Sequence, residues 1–229
     1  MNYAGVIMLD GGLGSRLGSN KPLQRVADKP LISHVIEGLS GLSEEVLVVI
    51  ARDAPRNEFV NVLPDYVRVL NDEPEGKSPL IGIVTALRHV KSRYAVVLTC
   101  DVPFVNIQVI RLLLKHAENA DAVVPRWNTG HLEPLHAVYR CEPTWDEAEK
   151  ALHEGNLSTA DLINKLARVI FVSIEDEIKP IDHELRTFFN VNTREDLAKA
   201  ELILEQKAKV HGDSFQSLHL SNKYHIAPT

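Results

Sequence analysis

The stretch that decides the fold of this 229-residue chain is LDGGLGSRLGSNKPL, residues 9–23, which directly follows a compact apolar run. Four glycines within eight residues let the backbone turn sharply and bring N–H groups close to phosphate oxygens. Arg16 and Lys21 add positive charge of the kind that binds a triphosphate. The stretch has no GKS or GKT ending, which excludes a P-loop. No glycine follows Gly14 at the spacing of the dinucleotide fingerprint, which excludes a dinucleotide-binding loop. We predict a nucleotide-phosphate loop of another kind; the alternative is a mobile turn with solvated cations.

Short apolar runs alternate with amphipathic stretches along the rest of the chain, a pattern typical of βαβ units with buried parallel strands. The predicted strands are residues 4–9, 46–50, 67–70, 95–99, 122–125, 135–139 and 169–172, and the predicted helices are residues 30–42, 79–90, 107–117 and 194–209. Thr193 is the predicted N-cap of the last helix, with Asp196 in its first turn. The sequence thus predicts an α/β fold: a single three-layer α/β/α domain over residues 1–210 with a mostly parallel, Rossmann-like sheet, followed by a polar tail at 211–229.

Composition bounds the class of protein. A hydrophobic fraction of 45% and a charged fraction of 24% are ordinary globular values. The formal net charge of −6 argues against nucleic acid as the main partner, because binding to a phosphate backbone requires a basic face. Cys100 and Cys141 form no CxxC pair and are expected to be buried, reduced thiols. No membrane-length apolar run or basic leader is visible, so the expected location is the cytoplasm.

Three further motifs carry polar groups, and two of them follow predicted strands directly, where α/β sheets bind ligands. Asp101, in TCDVPF, is a candidate Mg²⁺ ligand, since one carboxylate with phosphates and waters commonly holds this ion; the alternative is a helix cap near Asn106. Residues 71–82 form a polar turn that runs into a helix, with Ser78 as its cap and Pro79 at its first position. The start of this helix either faces a base or phosphate of a ligand or serves only as a structural cap. In FFNVNT, Asn190 and Asn192 point to one side of an extended segment, toward metal, water or phosphate, or toward backbone groups.

These stretches together resemble the molybdenum cofactor guanylyltransferase family. Its members carry LAGGxSxRMGxDKxL, GPLxG, CDxPF, QPLxAxY and FxNxNTPxDL, and this chain offers LDGGLGSRLGSNKPL, SPLIG, CDVPF, EPLHAVY and FFNVNTREDL in the same order over residues 9–197. The chain departs from the pattern at Asp10, Asn20 and Ser78, and after the second strand it has Ala51 and Arg52 where the family often offers an asparagine.

The resemblance implies the nucleotidyltransferase fold of sugar-nucleotide transferases, Mg²⁺ as cofactor, and GTP and molybdopterin as substrates. It implies transfer of GMP to the phosphate of molybdopterin, with transient contacts to other cofactor-biosynthesis proteins or to molybdoenzymes. The implied catalytic residues are Lys21 and Arg16, which clamp phosphates, and Asp101, which holds the metal. The implied acceptor side consists of Asn190 and Asn192. The implied nucleotide contacts are Leu9, Asp10, Gly11, Gly12, Gly14, Ser15, Lys21, Asp72 for the guanine, Pro79 and Asp101.

Two alternatives stay open at this point. One is a transferase with another nucleotide or acceptor: a cytidylated pterin, a sugar phosphate, or a cobamide or deazaflavin precursor. The other is a non-catalytic nucleotide-binding protein on the same scaffold, which Asp10 and Asn20 would motivate and which Lys21, Asp101 and the two asparagines argue against.

Overall fold

A seven-stranded sheet forms the centre of the molecule. The computed structural model describes the backbone of residues 3–8 and residues 21–206 in full. The strands are β1 (Tyr3–Met8), β2 (Arg25–Val26), β3 (Lys29–Pro30), β4 (Glu45–Ile50), β5 (Val67–Asn71), β6 (Tyr94–Thr99), β7 (Ala122–Arg126), β8 (His136–Arg140) and β9 (Val169–Ser173). Strands β2 and β3 pair as a separate small hairpin; the other seven form the sheet.

The sheet order places the ends of β1 and β6 at its topological switch point. The order is β5-β4-β1-β6-β8-β7-β9, so the chain builds outward from β1 through β4 to β5 and then returns to the other side of β1 with β6. Met8 lies beside Thr99 in the parallel β1–β6 ladder. Open α/β sheets bind ligands beyond the carboxyl ends of such neighbouring strands. The fold therefore directs attention to the residues that follow Thr99.

Helices cover both faces of the sheet. They are α1 (Leu31–Gly38), α2 (Arg56–Val60), α3 (Pro79–His89), α4 (Ile107–His116), α5 (Cys141–His153), α6 (Thr159–Lys165) and α7 (194–206, the described part). One buried cluster joins α1 and α4 to Val46, Val48 and Ile50 of β4. A second joins α3 and α6 to Leu47 and Val49 on the other face of the same strand. Alternate residues of one strand thus enter two different cores, which makes the three layers.

The predicted three-layer α/β fold with a mostly parallel sheet is confirmed, and all seven predicted strands belong to the sheet. One of them, β8, runs antiparallel to both β6 and β7, whereas the apolar runs favoured parallel strands throughout. The reason lies in the connection at residues 127–135, which holds no helix. A parallel return needs a crossover of a dozen residues or more, so a shorter link returns the chain antiparallel.

Three helices escape the periodicity argument. Helix α5 buries Cys141, Thr144, Ala148 and Ala151, which are small residues and give little hydrophobic pattern. Helices α2 and α6 have five and seven residues, and a period of 3.6 cannot be recognised in so few positions. Both cysteines are free and buried, as predicted. The predicted boundary at 210 and the tail at 211–229 lie outside the described residues and stay predictions.

Candidate active site

A buried ion pair stands at the switch point of the sheet. Lys21 opens a short 3₁₀ turn, Lys21–Leu23, and Asp101 comes two residues after β6. The Nζ atom of Lys21 lies 2.6 Å from Oδ2 of Asp101. Lys21 is 2% exposed and Asp101 is 7% exposed. Charged groups this deeply buried are rare unless they are paired, so each of the two offsets the cost of burying the other.

Two neighbouring side chains complete this cluster. Thr99, the last residue of β6, donates its hydroxyl hydrogen bond to Oδ1 of Asp101. Lys21 donates a second hydrogen bond to Oδ1 of Asn192, over 2.7 Å. Each oxygen of the Asp101 carboxylate therefore has a described donor, and two of the three N–H donors of Lys21 are used among the described residues. The third N–H of Lys21 is the one that a phosphate oxygen can accept from.

The segment that carries Asn192 is fixed from both sides. The backbone N–H of Val191 donates to the carbonyl of Asp101 over 2.8 Å, and the Val191 side chain is fully buried. Thr193 caps α7 as predicted: its Oγ1 accepts the N–H of Asp196 over 3.1 Å, and Oδ2 of Asp196 accepts the N–H of Thr193 over 3.0 Å. This reciprocal pair is a capping box. Asn190, by contrast, is exposed and donates to the carbonyl of Phe188, so the structure brings only Asn192 to the ion pair.

The oxygen atoms that surround the ammonium group of Lys21 suit a hard metal cation. Carboxylate and amide oxygens of Asp101 and Asn192 converge on one positive charge, and Mg²⁺ prefers oxygen ligands of this kind. Across residues 21–206 no group of three or more His, Cys, Asp or Glu side chains is arranged to hold a metal. A single carboxylate supplemented by substrate phosphates is nevertheless a common Mg²⁺ site, so the residues present fit the ion. Asp101 does not cap the next helix; Asn106 does, accepting the N–H of Gln108 over 3.0 Å.

Asp72 forms a second polar position, directly after β5. Its Oδ1 is buried and has no hydrogen-bond partner within the described parts of the chain. Burial raises the pKa of Asp72 from 3.8 to about 6, because a desolvated carboxylate favours its protonated form. A buried acceptor without a donor costs free energy in the absence of a ligand. Asp72 is therefore prepared to accept hydrogen bonds from a bound molecule.

The two neighbours of Asp72 are immobilised. Asn71 donates from Nδ2 to the carbonyls of Ala51, Arg52 and Ala54, over 3.1, 3.1 and 3.0 Å. On the other side, the N–H of Glu73 donates to Oγ1 of Thr85 in α3. The Glu73 carboxylate pairs with His89 at 2.6 Å and with Arg88 at 2.9 Å, and the hydrogen bonds from these two side chains lower the pKa of Glu73. The backbone on either side of Asp72 is thus anchored to two different elements.

The turn before α3 is a helix cap. Oγ of Ser78 accepts the N–H of Leu80 over 3.1 Å, and Pro79 occupies the first helical position. Ser78 also donates to the carbonyl of Leu157 over 2.8 Å. Ser78 therefore caps α3 as predicted, and Pro79 is exposed at the N-terminal end of the helix.

An aromatic cluster adjoins the ion pair across β8. The Phe188 ring lies 5.7 Å from that of Trp127 and 4.8 Å from that of His136. Trp127 donates from its indole to Oε1 of Glu133 over 2.7 Å. His136 is fully enclosed, and burial lowers its pKa to about 3, so it is neutral. Because His136 lies opposite Leu98 in the β6–β8 ladder, the cluster leaves the sheet at the same edge as Asp101.

The predicted site residues thus separate into two sets. Lys21, Asp101 and Asn192 meet, and Asp72 stands at the end of a neighbouring strand. The glycine-loop residues lie outside the described part of the chain: Leu9, Asp10, Gly11, Gly12, Gly14, Ser15 and Arg16. The sequence argument missed Thr99 and Asn71; a hydroxyl two residues before a strand-end Asp, and an amide directly before another, were the signals available.

The comparisons place the chain in a family. A profile described as the MobA-like NTP transferase domain matches residues 6–169, from β1 into β9. The chain belongs to this family. Its fold and its family are those of a nucleotidyltransferase.

Several relatives agree with this assignment. A protein of Methanosarcina mazei named "probable molybdenum cofactor guanylyltransferase" is 34% identical, over 86% of this chain and 89% of its own. The crystal structure of molybdopterin-guanine dinucleotide biosynthesis protein A from Archaeoglobus fulgidus superposes with a TM-score of 0.74 at 32% identity, covering 88% of this chain and 99% of that one.

A more distant structure shares the fold alone. The 4-diphosphocytidyl-2C-methyl-D-erythritol synthase of Anaerococcus prevotii superposes with a TM-score of 0.64 at 12% identity, covering 89% of this chain and 96% of that one. In the described residues of this chain, the helices are all too short or too polar to cross a membrane.

Proposed function

We propose that this chain transfers GMP from GTP to the phosphate of molybdopterin and releases pyrophosphate. The observation that carries the proposal is the buried cluster of Lys21, Asp101 and Asn192 at the switch point of a nucleotidyltransferase sheet. The relatives named for guanylyl transfer in molybdenum cofactor synthesis supply the support for the nucleotide and the acceptor. The unpartnered carboxylate oxygen of Asp72 supports guanine, whose N1–H and 2-amino group are donors.

The reaction itself needs no protein nucleophile. An oxygen of the acceptor phosphate attacks the α-phosphorus of GTP, a new P–O bond forms, and the bond to the bridging oxygen of the β-phosphate breaks. Negative charge grows on the leaving pyrophosphate. The protein therefore acts by holding two phosphorylated substrates in line and by offering fixed positive charge.

The ion pair gives each of its members a role. Asp101, with Asn192 beside it, would hold Mg²⁺, which supplies charge neutralisation to the phosphate oxygens. Lys21 directs its remaining N–H to a phosphate oxygen of the nucleotide. Thr99 keeps the Asp101 carboxylate in one orientation. Divalent metal use is typical of nucleotidyltransferases of this type; the identity of the ion as Mg²⁺ is part of the proposal.

The remaining roles are assigned by position in the sequence. Leu9, Asp10, Gly11, Gly12, Gly14 and Ser15 contact the nucleotide, Arg16 clamps its phosphates, and Pro79, at the first position of α3, is a further nucleotide contact. Asn190 belongs to the acceptor side with Asn192. The proposal also includes action in the cytoplasm, a catalytic domain at residues 1–210, and transient contacts with other cofactor-biosynthesis proteins or molybdoenzymes.

Pyrophosphate release tests the proposal. The protein is incubated with molybdopterin, Mg²⁺ and GTP, CTP or UTP in turn, and release is followed with and without acceptor. We expect release with GTP only, and its loss in Asp101→Asn. Asp65→Asn, an exposed aspartate before β5, is the matched control and should keep full turnover. Release with CTP but not GTP, or full turnover of Asp101→Asn, would overturn the proposal.

A further inference from the structure

Arg52 lies in the loop that follows β4 and contacts the residue that follows Asp72. Its Nη1 donates to the carbonyl of Glu73 over 3.1 Å and lies 3.9 Å from Oε1 of Glu75. Both described contacts use the same nitrogen. Arg52 is about half exposed, with a side-chain exposure of 53%, so its head is accessible to a ligand. The Nε and Nη2 donors, which form the other edge of the guanidinium fork, have no partner within residues 21–206.

Hydrogen bonds fix the loops that carry Arg52 and Asp72 relative to each other. The N–H of Asp72 donates to the carbonyl of Ile50 over 2.9 Å. Asn71 donates to three carbonyls of the Arg52 loop, one of them that of Arg52 itself. Together with the bond from Arg52 to Glu73, five hydrogen bonds join residues 50–54 to residues 71–73. The backbones that carry the donor fork and the unpartnered acceptor are therefore fixed relative to each other.

The two groups do not pair with each other. Burial is the one cause that moves the pKa of Asp72, and it moves it upward, whereas a guanidinium in contact would move it downward. No hydrogen bond or ion pair joins Arg52 to Asp72 in the described structure. A carboxylate and a guanidinium that are carried on joined loops and do not pair with each other can be bridged by one ligand. Such a ligand needs donors on one edge and acceptors on the adjoining edge.

Guanine has this pattern on adjoining edges. N1–H and the 2-amino group are donors, and O6 and N7 are acceptors that an arginine fork matches bidentately. We propose that Arg52 is a specificity-determining residue that donates from Nε and Nη2 to O6 and N7 of the guanine, while Asp72 accepts from N1–H and the 2-amino group. This assignment rests on the proposed use of GTP and adds a second residue that recognises the guanine base. Adenine would be rejected because its 6-amino donor would face the arginine.

Two GTP analogues separate the two readers. 7-Deaza-GTP lacks only the N7 acceptor, and ITP lacks only the 2-amino donor. Binding is measured by calorimetry with Mg²⁺ and without acceptor, so no turnover occurs. In the unaltered protein we expect GTP to bind about twofold or more tightly than either analogue, the low end for loss of half of a bidentate contact.

The variants then assign each preference to a residue. Arg52→Gln should weaken GTP binding about tenfold, bind GTP and 7-deaza-GTP equally, and keep the preference over ITP. Asp72→Asn should do the reverse. Arg52→Lys keeps the charge but not the fork, so it too should lose the preference over 7-deaza-GTP. Arg56→Gln, an exposed arginine on the nearby helix α2, removes the same charge and should change neither preference.

Each other outcome contradicts the inference. If Arg52→Gln retains the preference over 7-deaza-GTP, or loses both preferences together, Arg52 only braces the Asp72 loop. If the unaltered protein binds GTP and 7-deaza-GTP equally, N7 is not read. The proposed function survives all of these results, since it requires only that GTP be used; a protein that binds CTP in preference to GTP would overturn both.

Discussion

Replacement of Lys21 by methionine tests whether the ion pair at the switch point holds the fold as well as the site. The change keeps a long unbranched side chain, one atom shorter than lysine, and removes its charge, so Asp101 remains in a buried position without its partner. At an N–O distance of 2.6 Å and an effective dielectric constant of about 20, the lost attraction is about 6 kcal/mol. Desolvation offsets part of it, and truncation of one member of a buried pair typically costs about 3–5 kcal/mol.

The chain offers a matched control for this prediction. Lys29 and Glu37 form an ion pair of nearly the same length, 2.7 Å, but their side chains are 52% and 56% exposed. Exposed pairs contribute about 1 kcal/mol or less. Lys29→Met should therefore change stability little, although it removes the same charge over the same distance.

Urea and thermal unfolding, followed by circular dichroism in metal-free buffer, measure the difference. Lys21→Met should lower the free energy of unfolding by about 3 kcal/mol or more, and a loss of that size lowers Tm by about 6–12 °C in a domain of this size. The double variant Lys21→Met/Asp101→Asn should recover much of the loss, because no unpaired charge then remains buried. If Lys21→Met and Lys29→Met lose the same stability within 1 kcal/mol, or if the two changes at the site are additive, the ion pair does not act as described.

Three further predictions follow from groups outside that pair. The folded-state pKa of Asp72, about 6, lies above its ordinary value, so the ionised carboxylate destabilises the fold above pH 6, and this penalty fades as pH falls toward 4. Asp72→Asn should therefore raise the free energy of unfolding by about 1 kcal/mol at pH 8, after allowance for partial exposure. Urea titrations at lower pH should show a progressively smaller gain. Burial raises the pKa of Cys141 to about 12, so neither it nor buried Cys100 should react with a thiol reagent at pH 8 until urea unfolds the protein. Thr193→Ala should cost about 1 kcal/mol through loss of the cap of α7, and a fall in kcat/KM beyond that of a mild loss of stability would show that the cap also positions Asn192.

Hydrophobic patterning predicted most of the fold because each strand of the sheet is a short apolar run. The direction of β8 could not be read in this way, since an antiparallel strand buried on both faces has the same pattern as a parallel one. The helices α5 and α6 were missed because small residues or few positions carry their packing. In each case the deciding information was a length or a volume, which the alternation of apolar and polar residues does not record.

The sequence predicted those site residues that directly follow strands. Asp72 and Asp101 follow predicted strands, and polar groups after buried strands meet at one edge of the sheet. Asn192 was selected with Asn190 because their amides point to one side of an extended segment. Their partners were not foreseen. Lys21, expected to face phosphates, also lies against Asp101 and Asn192, because a buried carboxylate requires a counter-charge, and no local motif predicts which residue supplies it. The hydrogen bonds of the Asn71 side chain could not be predicted from the sequence either, because their acceptors are backbone carbonyls of another loop.

The cluster at the switch point also sets an order in time. Lys21 and Asp101 are 80 residues apart, and Lys21 and Asn192 are 171 apart. Translation proceeds from the N-terminus at about 5–20 residues per second, so Asn192 and the Val191 N–H that binds Asp101 are made after every strand of the sheet. A nascent chain halted before residue 191 can carry the whole sheet, from β1 to β9, and still lack the segment that supplies Asn192 to the ion pair. The described cluster therefore becomes complete only after the last strand of the sheet has been made.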